Sequence, residues 1–286
     1  MKRQQHKKRR IIFSYSFLGT IILLLILAKV ASGIEKDGLL ENTTQSSKTK
    51  EVTKKQSSTE NKVIISETLT TSSQTTESTT EEQKLEKAIS LTFDDGPSPV
   101  TSPKILDTLK SENVTATFFL LGQNVSGSEQ IVKQIKNEGH EIGSHSQSHP
   151  LLTSLDEASL KSEFSKSDTA IKNATGEKPR YVRPPYGAAK KREAEIINRP
   201  LIEWSVDSLD WQSKNKAAII QQVVANTYPG SIILMHDIQP ATAEALPDII
   251  KQLKEQEYQF VSISELLDNP TDIAHYFGAN DHKIVD

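Results

Sequence analysis

From residue 88 onward, short apolar runs alternate with longer amphipathic stretches. The runs fall at 88–93, 115–121, 141–144, 201–206, 231–236 and 259–262, with a weaker one at 180–183. Their lengths and bounding turn residues predict buried strands. Between them, 102–109, 129–137, 155–174, 188–198, 217–228 and 241–257 carry the 3.6-residue apolar period of helices. Strands alternating with helices pair in parallel through right-handed crossovers. About 180 residues supply six or seven such units. A complete eight-stranded barrel needs ~250 residues. The predicted fold over 86–268 is therefore α/β, a distorted or incomplete (β/α) barrel of about seven strands, with a doubly wound open sheet as the alternative. Residues 269–286, with His275 and His282, carry no readable motif and are treated as a tail.

The N-terminal part has a different texture. Residues 11–28 are uncharged and rich in Ile and Leu, and six basic residues crowd the first ten positions. A helix over 11–30 is just long enough to span a bilayer core of ~30 Å. The basic segment 1–10 would stay cytoplasmic and send the bulk of the chain outside. A cleaved signal peptide is the competing reading, but its apolar region is normally ~7–15 residues. The expectation is an uncleaved, single-pass signal anchor at the cell membrane. Ser and Thr then make up 20 of the 40 residues from 41 to 80. Such a segment buries too little apolar surface to offset chain entropy, so 31–85 is expected to be a disordered linker.

Composition narrows the chemistry. Of 286 residues, 34 are Lys or Arg and 37 are Asp or Glu, for a net charge of −3, and six of those bases sit in the first ten positions. That balance argues against nucleic acid as a partner, which needs a surplus of basic residues. The absence of Cys removes thiol nucleophiles and Cys-ligated metals. Any metal must sit on His and carboxylates.

The unusual polar residues nearly all follow the C-terminal ends of the predicted strands, the rim on which parallel α/β folds build active sites. Asp94 and Asp95 follow the first strand, and His145 and His149 the third. Arg183 closes the weak one at 180–183, Asp207 and Asp210 follow the fifth, and His236 and Asp237 end the sixth. Each has a plain structural reading: Asp94-Asp95-Gly96-Pro97 as a tight turn, His145 and His149 as solvated rings, His236 as a satisfied core histidine. Taken together they suggest more. Neighbouring carboxylates on extended chain point in opposite directions, so one can serve a metal and the other a water. His145 and His149, spaced i, i+4, can chelate a divalent ion, and Pro150 places them on a turn or loop. With Asp95 they complete a His₂–carboxylate set with open positions. His236 could act as a general acid, oriented by Asp207 or Asp210. Trp211 and Leu234 are candidate pocket walls. His140 enters its strand from the opposite rim and reads as structural.

Five segments then carry a resemblance: Thr92-Phe93-Asp94-Asp95-Gly96-Pro97, His145-Ser146-Gln147-Ser148-His149, Arg183-Pro184-Pro185-Tyr186-Gly187, Asp207-Ser208-Leu209-Asp210-Trp211 and Leu234-Met235-His236-Asp237. In order and content they resemble the five motifs of the polysaccharide deacetylases, the NodB-homology domain of carbohydrate esterase family four. The tethered layout is similar to that of the membrane-anchored peptidoglycan N-acetylglucosamine deacetylases of Gram-positive bacteria. The resemblance implies that Asp95, His145 and His149 hold one divalent metal ion, usually zinc, with cobalt or other divalent ions able to serve. It implies Asp94 as general base held ionised by Arg183, and His236 as general acid tethered by Asp210. The Tyr186 N–H would help bind the oxyanion, and Trp211 and Leu234 would frame the acetyl methyl. The implied partners are peptidoglycan glycan strands, with the catalytic domain facing the cell wall. Chitin, poly-N-acetylglucosamine and acetylxylan are alternative substrates for the same motifs. A non-catalytic glycan-binding module would have lost a ligand, the base or the acid, and none is missing. A non-haem iron oxygenase shares the His₂–carboxylate set but has no need of Asp94, Arg183 and His236.

Overall fold

The computed structural model describes residues 86–285; the expected membrane span at 11–30 and linker at 31–85 lie outside the described residues. Strand β1 (Ala88–Asp94) is buried along its whole length because both of its faces are covered. Ile89, Leu91 and Phe93 pack into a large apolar core against the surrounding helices. Ser90, Thr92 and Asp94, which alternate with them, are also buried and project to the other side, into the barrel.

The remaining strands are β2 (Ala116–Leu120), β3 (Glu141–Ser144), β4 (Leu201–Ile202), β5 (Val206–Asp207), β6 (Ile232–His236), β7 (Gln259–Phe260), β8 (Ala274–Gly278) and β9 (Asp281–Ile284). The order β3-β2-β1-β6-β5 is parallel throughout, with β7 parallel beside the foot of β1. Val182 bridges Ser144 on one side and Leu201 on the other, which carries the ladder from β3 to β4. Since β4 and β5 are the two ends of one extended segment, the bonding of β5 to β6 closes a ring. The result is an α/β fold whose parallel strands curl into a distorted barrel. Around it lie α1 (Ser102–Ser111), α2 (Glu129–Asn137), α3 (Glu157–Thr175), α4 (Lys191–Ile197), α5 (Lys216–Asn226) and α6 (Pro240–Glu255). All but α4 bury apolar residues in the main core, and α4 packs Ala194 and Ile197 against Leu201 in a smaller one.

Three segments depart from the predicted pattern. The strand expected at 201–206 is broken at its middle. There the Glu203 N–H donates to Tyr276 O of β8 and the Ser205 N–H to Ile232 O of β6, so the segment changes partner halfway along. The strand expected at 180–183 shrinks to a single residue, Val182, which bridges a neighbour on each side, because Pro179 and Pro184 flank it and proline supplies no ladder donor. The tail is not featureless either. β8 and β9 form a hairpin, and β8 pairs in parallel with β4.

Candidate metal centre and active site

The loops after the strand ends carry much of the backbone strain. Asp95 (φ 74°), Ser146 (φ 72°), His149 (φ 62°), Tyr186 (φ 62°) and Leu209 (φ 53°) all adopt left-handed conformations. Residues other than glycine hold such angles only where their surroundings over-determine them, and they concentrate at functional sites. The loop from Asp95 to Thr101 is fixed through Asp237. Its carboxylate accepts the Ser102 hydroxyl at 2.5 Å and its carbonyl accepts the Thr101 hydroxyl. A methyl at Gly96 would lie 2.2 Å from both Asp237 carboxylate oxygens, so only glycine fits that approach. Burial pushes the Asp237 carboxyl up to about 7, against the Ser102 hydrogen bond.

Asp95, His145 and His149 converge, each offering one donor atom to a common point. Asp95 Oδ1 lies 3.7 Å from His145 Nε2 and 3.6 Å from His149 Nε2. Oδ1 is buried and has no hydrogen-bond partner. The His145 Nδ1–H donates to the Arg183 carbonyl at 2.7 Å; since a carbonyl only accepts, the proton sits on Nδ1 and Nε2 keeps its lone pair. Metal-ligating histidines are oriented in this way, the second ring nitrogen donating to a carbonyl or carboxylate. Burial pushes the His145 imidazolium down to about 3, against the attraction of Asp95, so the ring is neutral, as a ligand must be. One orphaned carboxylate oxygen and two free imidazole nitrogens at this spacing fit a divalent cation with bonds of about 2 Å.

Asp94 is 2% exposed and faces the same centre, with Oδ2 3.6 Å from His145 Nε2. Its other oxygen accepts from Arg183 Nη1 at 2.8 Å. Arg183 is completely buried. It also donates to Thr92 Oγ1, Ile202 O and Glu203 O, and its guanidinium lies 4.2 Å from the Phe119 ring centroid. These bonds leave it a single orientation. Burial raises the Asp94 carboxyl, opposed by the charges of Arg183 and His236.

On the other flank, His236 sits level with Asp94 on the adjacent strand, so both side chains project into the barrel mouth. Its Nδ1–H donates to Asp210 Oδ1 at 2.7 Å and its backbone N–H to Asp210 Oδ2 at 2.8 Å. Asp210, at the start of the one-turn helix Asp210–Ser213, also accepts from the Trp211 N–H and the Thr242 hydroxyl. Burial opposes the Asp210 anion, but the His236 and Thr242 hydrogen bonds and the His236 charge outweigh it and hold the carboxyl low. Burial likewise works against the His236 cation, yet Asp210, with Asp94 and Asp95, pushes it up to about 9.

The remaining sequence candidates are arranged around these groups. The Tyr186 ring is 65% exposed and packs edge-on to His149 at 4.5 Å. Trp211 is 49% exposed on the rim beside Asp210. Leu234 is 4% exposed and shares the inner face of β6 with His236. Asp207 accepts the Leu209 N–H at 2.8 Å and holds its own loop. His140 is buried at the opposite end, where its Nδ1 accepts the Ala116 N–H. Thr92 and Thr242 had no assigned part in the sequence reading. Each is a hydroxyl that completes a charged pair, and no spacing rule marks them.

Known proteins resemble this chain in sequence and in fold. The family model described as polysaccharide deacetylase matches residues 81–199. A peptidoglycan-N-acetylglucosamine deacetylase of Bacillus cereus is 40% identical over 185 residues, 62% of this chain and 67% of that protein. The chain belongs to the polysaccharide deacetylase family. Another deacetylase, the peptidoglycan-N-acetylglucosamine deacetylase PgdA of Listeria monocytogenes, is 44% identical over 203 residues; the match covers 71% of this chain and 44% of that protein. The chain thus spans under half the length of that deacetylase. Among solved structures, a family 4 acetyl xylan esterase from Clostridium thermocellum in complex with a cobalt ion superposes with a TM-score of 0.65 at 31% identity, covering 68% of this chain and all of that one. All ten site candidates of this deacetylase-family chain lie on the rim of its barrel or on its inner wall.

Proposed function

We propose that this chain is a metal-dependent hydrolase that removes N-acetyl groups from N-acetylglucosamine residues of peptidoglycan and releases acetate. The observation that carries the reading is the meeting of Asp95, His145 and His149 around one point, with Asp94–Arg183 on one flank and His236–Asp210 on the other. The names of the Bacillus cereus and Listeria relatives support the substrate. The basic segment, apolar span and Ser/Thr-rich stretch ahead of residue 86 support a membrane-anchored enzyme facing the wall.

Asp95, His145 and His149 would hold the cation, zinc on the family resemblance; the cobalt in a solved relative supports a divalent ion more generally. When bound, such an ion polarises an acetyl carbonyl and lowers the pKa of water toward ~7. The chain's own groups do the rest. Asp94 takes a proton from the attacking water, and Arg183 keeps its carboxylate oriented. As the C–O bond forms, the oxyanion accepts the Tyr186 N–H. His236 gives its proton to the sugar nitrogen as the C–N bond breaks, so the leaving group departs as an amine. Trp211 and Leu234 flank the methyl. Acetate and a free amino sugar are the products.

Incubating the full-length chain with purified peptidoglycan, chitooligosaccharides and acetylxylan, and measuring acetate, tests the substrate. Peptidoglycan is expected to be turned over fastest. Acetate from acetylxylan alone would overturn the peptidoglycan assignment and leave an esterase.

A further inference from the structure

The loop that presents both histidines, 145–149, has strained backbone at Ser146 and His149. Only the His149 N–H is satisfied from within it, by Ser146 Oγ at 3.0 Å. Its conformation is imposed from outside. The Glu163 side chain, reaching over from α3, accepts the Gln147 N–H at 3.0 Å and the Ser148 N–H at 2.9 Å on one oxygen, and the Ser148 hydroxyl at 3.0 Å on the other. One helical turn further on, the Ser167 hydroxyl bonds that of Ser144, the last residue of β3, at 2.9 Å. Positions i and i+4 share one face of a helix, so α3 grips the strand end and the loop that follows it. The Gly122 and Gln123 N–H groups also donate to Ser146 O and Gln147 O. A methyl at Gly122 would lie 2.3 Å from Gln147 Oε1 and 2.6 Å from Ser167 Cα. The loop is therefore held by two elements that pack against each other, the Gly122 turn and α3.

We propose that Glu163 is a positioning residue for the metal-ligand loop, setting the separation of His145 and His149 through three hydrogen bonds to residues 147 and 148. The proposal rests on the reading of Asp95, His145 and His149 as a metal site. Glu163 touches neither imidazole. A carboxylate accepting backbone N–H groups makes bonds roughly twice as strong as a neutral acceptor, and here they offset the left-handed backbone of Ser146 and His149. Without them the loop can relax and carry His149 away from Asp95. The expected consequence is lower metal affinity rather than lost chemistry.

The test is zinc titration of the metal-free, full-length chain, with amide hydrogen exchange at residues 146–149 as a second readout. Glu163→Ala is expected to weaken zinc binding by about 10- to 100-fold, the range for loss of a group that orients a metal ligand, and to speed exchange at Gln147 and Ser148. Glu163→Gln keeps an acceptor for the two amides but loses the charge and one oxygen, and is expected to lose roughly fivefold. Wild-type affinity in Glu163→Ala overturns the proposal. Should that variant not fold, Glu163→Gln decides, and wild-type affinity there overturns it as well. A wild-type chain that takes up no zinc overturns the metal reading itself.

Discussion

Asp95→Asn abolishes acetate release, to below about 0.1% of the wild-type rate, and added metal does not restore it. The magnitude follows from the several kcal/mol that Lewis-acid polarisation contributes to a hydrolytic transition state, each 1.36 kcal/mol being tenfold in rate. Asparagine is the informative replacement because it tolerates the left-handed backbone (φ 74°) of this position, where alanine would add strain unrelated to the metal. The substitution removes no hydrogen bond, because Asp95 Oδ1 has none. It also deletes one of two carboxylates facing His145, and like charges that close repel. The metal-free variant is therefore expected to unfold no earlier on heating than metal-free wild type. Lost activity with retained stability, read from acetate assays and thermal melts together, separates a missing ligand from a damaged fold. His149→Ala should behave alike in activity.

His236→Ala lowers turnover by about 10² to 10⁴, the usual contribution of a positioned acid, while zinc affinity stays at the wild-type value. His236 is not one of the three ligands, so the two readouts should part company. The partner substitution Asp210→Asn has a pH signature. A general acid must be protonated to act, and Asp210 is the main reason His236 is pushed up to about 9. In the wild type the rate that depends on this acid is kept through neutral pH and lost as pH rises past that value. Asparagine removes the counter-charge, the imidazolium becomes easier to deprotonate, and the alkaline limb moves to lower pH by at least about one unit. A pH–rate profile of kcat measures it. An alkaline limb in Asp210→Asn superimposable on the wild-type one would show that His236 does not supply the proton.

The site was legible in the sequence to the extent that chemistry and strand ends coincide. Asp94-Asp95, His145 with His149, and His236 each follow an apolar run that folds as a strand, and in a parallel barrel every such end lies on one rim. Pro150 correctly placed the two histidines off a helix, since the segment after β3 is loop. The parts that could not be read are those fixed by partners far away in the chain. The 201–206 segment looks like one strand because its apolar period is unbroken, yet its hydrogen bonds switch from β8 to β6. The β8–β9 hairpin is invisible from composition because its outer strand is fully exposed, while Ala274, Tyr276 and Gly278 bury only one face. Glu163, Thr92 and Thr242 act through hydrogen bonds alone, and a single polar residue on a helix or strand has no periodic signal to betray it. Arg183 shows the converse. A fully buried arginine demands a carboxylate, and removing either partner of such a pair typically costs 3–5 kcal/mol. That makes its link to Asp94 a structural requirement as well as a chemical one.

The decisive experiment is chelation and reconstitution of the full-length wild-type chain, followed by acetate released from peptidoglycan. Chelation is expected to abolish release, and activity to return in proportion to zinc or cobalt up to one ion per chain. Undiminished acetate release from metal-depleted protein would contradict it.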